Sequence, residues 1–161
     1  MLIPRYDIID QTGLEVQYTG AEWLWKLEAI TRSGQGDRFT ALTGGFEYTF
    51  VGVMESNADI GVIAEFTYDD RRDAAPTTFE NDLIVGARFT LNDEQSTEVL
   101  GGVVFDLDSD ARFYSLEASR RLGDNWKLNL EGRFNSSIPK DDPAAVLRTE
   151  DFIQLELSWF F

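Results

Sequence analysis

Residues 151–161 read DFIQLELSWFF, and this stretch decides how the rest of the chain is read. Ile153, Leu155, Leu157, Trp159 and Phe161 alternate with Gln154, Glu156 and Ser158. A period of two puts successive side chains on opposite faces of a strand, whereas a helix would need apolar residues three and four apart. The aromatic ending is at odds with the rest of the composition. The chain carries 29 Asp and Glu against 14 Lys and Arg, a formal net charge of −15, and the ends of soluble domains ordinarily fray into water.

The same alternation recurs upstream in eight segments: GLEVQYT (13–19), EWLWKLEAITR (22–32), ALTGGFEYTF (41–50), DIGVIAEFTYD (59–69), DLIVGARFTL (82–91), EVLGGVVFDLD (98–108), RFYSLEASRR (112–121) and WKLNLEGRFN (126–135). Polar turns separate them, among them LGDN, whose Gly123 and Asp124 form a two-residue hairpin signal. Neighbouring strands are therefore expected to run antiparallel. One face collects Leu14, Val16 and Tyr18, then Trp23, Trp25 and Leu27, then Phe46, Tyr48 and Phe50, and continues in this way through Leu128 and Leu130 to Phe161, without a charge. The opposite face carries Glu15, Lys26, Glu28, Arg32, Glu47, Glu65, Arg88, Asp106, Glu117, Arg121, Lys127, Glu131, Arg133 and Glu156. The two faces call for different solvents.

Composition excludes several functions. No His or Cys is present, so serine–histidine triads, thiolate nucleophiles and imidazole or thiolate metal sites cannot be built. The acid excess, with no basic cluster, repels phosphate backbones and argues against nucleic acid. No run approaches the roughly 18 apolar residues of a transmembrane helix, and the opening MLIPRYDIID lacks the features of a signal peptide, so an export signal is expected to lie outside this chain. The in-strand glycines, such as Gly44, Gly45, Gly101 and Gly102, precede no helix and do not read as phosphate loops.

Five alternating apolar positions, Ile153, Leu155, Leu157, Trp159 and Phe161, ending on an aromatic, resemble the C-terminal targeting strand of bacterial outer-membrane β-barrel proteins. The turn-separated pattern is similar to that class from Gly13 onward. The resemblance implies an all-β fold, an antiparallel up-and-down transmembrane β-barrel, with about 8–10 strands in this chain or with this chain as the C-terminal part of a larger barrel. It also implies localisation to the bacterial outer membrane, contact with lipid and lipopolysaccharide, and reading of the last strand by the barrel-insertion machinery.

Alternation by itself leaves the orientation of the faces open, because a soluble lipocalin-like barrel would turn the apolar face inward around a ligand. Volume favours the membrane arrangement. A barrel of eight to ten strands is just filled by ordinary side chains and has no room for this many Trp, Phe, Tyr and Leu. Tyr18, Trp23, Tyr68, Trp126 and Trp159 lie toward strand ends, where interfacial girdles belong. If Phe161 ends at the periplasmic rim, the connections 32–38, 69–82, 106–112 and 135–151 fall outside and 19–21, 53–59, 92–97 and 122–125 inside, so the two longest are outer ones. An odd strand count then leaves residues 1–12 as an N-terminal arm or an extra strand of a single domain spanning 1–161, unless further strands of a longer chain or a homo-oligomer complete the wall.

The candidate site is the polar face. Its eight acids and six bases are nearly balanced, which suggests cross-strand ion pairs in the lumen among Lys26, Glu28, Glu47, Glu65, Arg88, Glu117, Lys127, Glu131, Arg133 and Glu156. In an open pore the same groups would sort ions instead. Acidic loops at Asp69-Asp70, Asp106, Asp108 and Asp110, and Asp141-Asp142 offer oxygen ligands for weak divalent cation binding, without the glycine and distal Glu of an EF-hand. Solvated loop charge is the commoner meaning of such runs. No catalytic residues, cofactor or dedicated metal site are expected, and the chain does not read as an enzyme. The expected role is a passive porin-like channel or a structural barrel. The alternatives are a surface binding module using the outer connections 69–82 and 135–151, or a soluble lipocalin-like ligand-binding barrel.

Overall fold

The computed structural model describes residues 6–161. Nine strands follow one another in the chain and in space: β1 (Asp10–Thr19), β2 (Trp23–Ser33), β3 (Phe39–Phe50), β4 (Asp59–Asp69), β5 (Asn81–Thr90), β6 (Glu98–Asp106), β7 (Arg112–Leu122), β8 (Trp126–Ser136) and β9 (Phe152–Trp159). Each pairs antiparallel with the next, in the order β1-β2-β3-β4-β5-β6-β7-β8-β9. All nine alternating segments are strands, with ends displaced by at most three residues. The sheet is a meander and does not close: β1 and β9 are not paired with each other. Nine antiparallel strands leave the first and last running the same way, so a direct seam would need the slanted ladder of a parallel pair.

The first and last strands differ from the expectation at the outer ends of the sheet. Asp10, Gln11 and Thr12 pair with Ser33, Arg32 and Thr31, so they lengthen β1 and do not belong to a separate arm or strand. The carbonyl of Ile8 packs against Gly34, where an added Cβ would come within 2.2 Å of it and where φ is +106°, a combination that only glycine fills without strain. Residues 1–5, the rest of the expected arm, lie outside the described residues. At the other end β9 stops at Trp159, although the Phe160 N–H still donates to the Asn125 carbonyl at 2.8 Å.

The cross-strand registers align the apolar face across the whole sheet. Val16 opposes Leu27, Trp25 opposes Phe46, Tyr48 opposes Val62, Phe66 opposes Leu83, Val85 opposes Val103, Gly101 opposes Leu116, Ala118 opposes Leu130 and Leu130 opposes Leu155. A slip of one residue at any interface would transfer a strand's apolar set to the other face. Aromatic rings cluster on this face: Trp23 lies 4.5 Å from Tyr48 on the paired strand and 5.4 Å from Trp25 on its own, and Trp126 stacks on Trp159 across β8 and β9 at 6.0 Å.

This sheet has no core of its own. Among the described residues the buried apolar ones are Ala58, Ala111, Ile138 and Ala144, all in connections, and three of them form one small cluster with Phe113 under the β8–β9 connection. The accessible surface is 11435 Å², whereas a compact monomer of 18.3 kDa would expose about 8,100 Å². The excess reflects one layer whose apolar face is uncovered. Among strand residues, apolar exposure is largest on the two edge strands, with Ile153 at 69% and Tyr18 at 63% against 36% and 39% for Leu83 and Val85 within the sheet.

Candidate functional site

The polar face is ordered in rows, because antiparallel pairing sets side chains of the same face directly opposite one another. Following the registers from β1 to β9 gives successive belts across the wall. In the middle, Lys26 opposes Gln17 and Gly45, and Gly45 opposes Glu65; the Lys26 ammonium reaches across the glycine to the Glu65 carboxylate at 2.9 Å. One row toward the β1–β2 turn, Glu47 belongs to the row that ends on Arg133 and Phe152.

The next row puts two carboxylates face to face. Glu117 opposes Glu131, a repulsive arrangement for a cross-strand pair. Arg133, from the adjoining row, reaches both, with Nη2 at 2.6 Å from Glu117 and 3.1 Å from Glu131. One guanidinium thus holds two like charges. Three other like-charged oppositions have no such clamp among the described residues: Glu15 with Glu28, Asp82 with Asp106 and Arg121 with Lys127.

Of the ten residues expected to form a lumen charge network, the structure therefore joins five: Lys26 with Glu65, and Arg133 with Glu117 and Glu131. Glu28, Glu47, Arg88, Lys127 and Glu156 share the face but have no ion-pair partner within 4.0 Å among the described residues. The Glu156 carboxylate accepts instead from the Ser158 hydroxyl at 2.8 Å. Arg88, Glu117, Lys127 and Glu131 line a groove of about 400 Å³ on this side.

Register also corrects the charge balance of the face. Asp59 opposes Thr90, Thr67 opposes Asp82, Thr90 opposes Glu98 and Ala41 opposes Asp69, so four acids join the eight already counted. The near balance expected from sequence becomes twelve acids against six bases. All four additions sit at strand ends, where their parity with Gly61, Thr67, Ile84 and Leu100 identifies them. The same parity puts two bases on the apolar face, at its margins. Arg112 opposes Phe105 and lies over its ring at 5.8 Å, and Arg120 opposes Leu128 and approaches Asp93 at 3.8 Å. Long side chains at such positions bury their stems and keep their charges in water.

Carboxylates of the acidic connections are engaged by nearby N–H groups and side chains. Asp106 accepts from the N–H groups of Asp108 and Ser109 and from the Ser109 hydroxyl. Asp108 holds Arg72 and the Asn81 amide, Asp70 accepts from the Thr40 N–H, and Asp142 accepts from the Ala144 N–H. Arg71 pairs with Asp69 and stacks on Phe39, its guanidinium carbon 3.5 Å from the ring centre. Among the described residues, no group of three or more acids converges to hold a metal ion. The 69–82 and 106–112 connections are joined to each other through Arg72 and Asp108.

Comparison of the chain with protein-family models, with curated proteins and with solved structures gave no match.

Proposed function

We propose that this chain is a wall of a bacterial outer-membrane β-barrel, its apolar face against lipid and its polar face toward a lumen, with a passive porin-like or structural role and no catalysis. One observation carries the reading: apolar side chains match across all eight strand interfaces and remain uncovered. An exposed apolar surface on this scale marks a face that meets something other than water. Trp23, Trp126 and Trp159 near strand ends fit interfacial girdles, and Arg112 and Arg120 at the margins fit headgroup contacts with lipid or lipopolysaccharide. The soluble alternative is less supported, since it would have to gather these rings inside a closed barrel.

The free edges fit the same reading. β9 offers an unpaired ladder edge with Ile153, Leu155, Leu157 and Trp159 on its apolar side, the form in which the insertion machinery would accept it by edge pairing. Because β1 and β9 run the same way, an all-antiparallel closure takes an odd number of additional strands, from the same polypeptide or another.

Tryptophan quenching in vesicles of bromine-labelled lipid tests the orientation. Emission from the folded protein should fall strongly when the bromines sit in the acyl chains. Unquenched emission from folded, vesicle-bound protein would refute the lipid-facing assignment.

A further inference from the structure

The polar face is not evenly charged. One row crosses six strands as Glu15, Glu28, Thr43, Thr67, Asp82 and Asp106. It contains four carboxylates and no base. The rows deeper in the wall are compensated or nearly so, by Lys26 with Glu65 and by Arg133 with Glu117 and Glu131. At the opposite margin Asp59, Glu98 and Glu156 share a row, but Arg121 and Lys127 lie two residues further along their strands and offset them. Arg32, four residues beyond Glu28 on β2, offsets one of the four carboxylates, and the uncompensated charge is still concentrated at the end of the wall that carries the long connections.

A second observation points the same way. Asp82 is 1% exposed; its Oδ2 accepts from the Asn81 N–H at 3.2 Å, and its Oδ1 has no hydrogen-bond partner among the described residues. The Thr67 hydroxyl directly opposite it is likewise buried without a partner among the described residues. Two orphaned oxygens side by side are costly unless something positive or protic meets them. Their lone pairs lie in the row that already has the largest excess of negative charge.

We infer that the face is cation-selective, with the row Glu15, Glu28, Asp82 and Asp106 as its selecting belt. This rests on the reading of the face as the lining of a conduit. Carboxylate rings in a confined, low-dielectric wall concentrate cations and exclude anions. Rows on one face are about 7 Å apart, two residues of strand, so the belt and its compensated neighbour lie within about one Debye length at 0.1 M salt. The excess survives with Asp82 uncharged, because Glu15, Glu28 and Asp106 remain.

Reversal potentials across planar bilayers under a potassium chloride gradient test this with the protein as it is and with two double variants. Glu15→Gln with Glu28→Gln changes exposed positions of the belt, and Glu98→Gln with Glu156→Gln changes the offset row. Potassium should be favoured over chloride by several-fold, and the first pair should reduce that preference at least about twofold while the second changes it less. Current without cation preference, or equal effects of the two pairs, would overturn the belt while leaving the conduit standing. Complete absence of current from protein whose folding is shown by a heat-shifted gel band would remove the conduit, and the inference with it.

Discussion

Gly44 and Gly45 are neighbours in β3 and belong to opposite faces, and their surroundings differ as the two faces do. A Cβ added to Gly44, on the apolar side, would first meet the tip of Leu27 at 3.2 Å, the movable end of a side chain. A Cβ added to Gly45, on the polar side, would come within 2.3 Å of the Ala64 carbonyl and 2.8 Å of the Glu65 Cα, both backbone atoms. The apolar face is built from interchangeable side chains matched only in kind. The polar face is built from specific placements, such as the gap over Gly45 through which Lys26 reaches Glu65.

The largest effect should come from putting charge on the interchangeable face. Leu130 sits between Ala118 and Leu155, near the middle of the apolar side. Leu130→Arg should cost about 2–4 kcal/mol if this face meets hydrocarbon, measured by denaturant titration in lipid vesicles. Asn129→Arg, one residue away and on the polar face, should cost far less. Equal costs would erase the distinction between the faces.

Next in size are the glycines. Gly45→Ala should cost about 1–3 kcal/mol because backbone must move. Gly44→Ala should stay within about 0.5 kcal/mol, the range of a surface substitution. The same titrations measure both, and a costly Gly44→Ala beside a silent Gly45→Ala would reverse the assignment of the tighter face.

Removing the clamp on Glu117 and Glu131 should matter less. The three side chains are partly solvated, so Arg133→Met should cost about 0.5–1 kcal/mol. High salt should shrink the difference, since it weakens the exposed attraction and the exposed repulsion alike. A salt-independent loss would mean that Arg133 acts through packing.

The apolar face was legible in the sequence because period two is a local property: each strand shows its own alternation without knowledge of its neighbours. Cross-strand relations were not. That Glu117 opposes Glu131, that one Arg133 spans both, and that Glu15, Glu28, Asp82 and Asp106 fall in one row depend on register, which the turns fix and which residue spacing within a strand does not reveal. Asp59, Asp69, Asp82 and Glu98 were readable by parity, since each is a terminal residue of an alternating segment and shares the face of the residue two positions inward. Closure was the least legible feature, since it depends on what meets β1 and β9.

The connections obey neither face, and Asp93 in the β5–β6 connection tests how far local hydrogen bonding alone can order a rim. Its carboxylate accepts from the Thr97 N–H at 2.7 Å and from the Thr97 hydroxyl at 2.8 Å. The Thr97 backbone bond first, then the hydroxyl bond and the Arg120 charge, hold its pKa below the ordinary carboxylate value. A lowered folded pKa means that the contribution is complete above the unfolded value, near about 3.9, and is lost as the pH falls through the folded one. Thr97→Val removes one of the two Thr97 donors and should bring the pKa part of the way back, read by NMR titration of the carboxyl carbon. An unmoved pKa would place the effect on the backbone bond alone; a raised one should come with a stability loss that is complete near neutral pH and fades as the pH falls through the folded value.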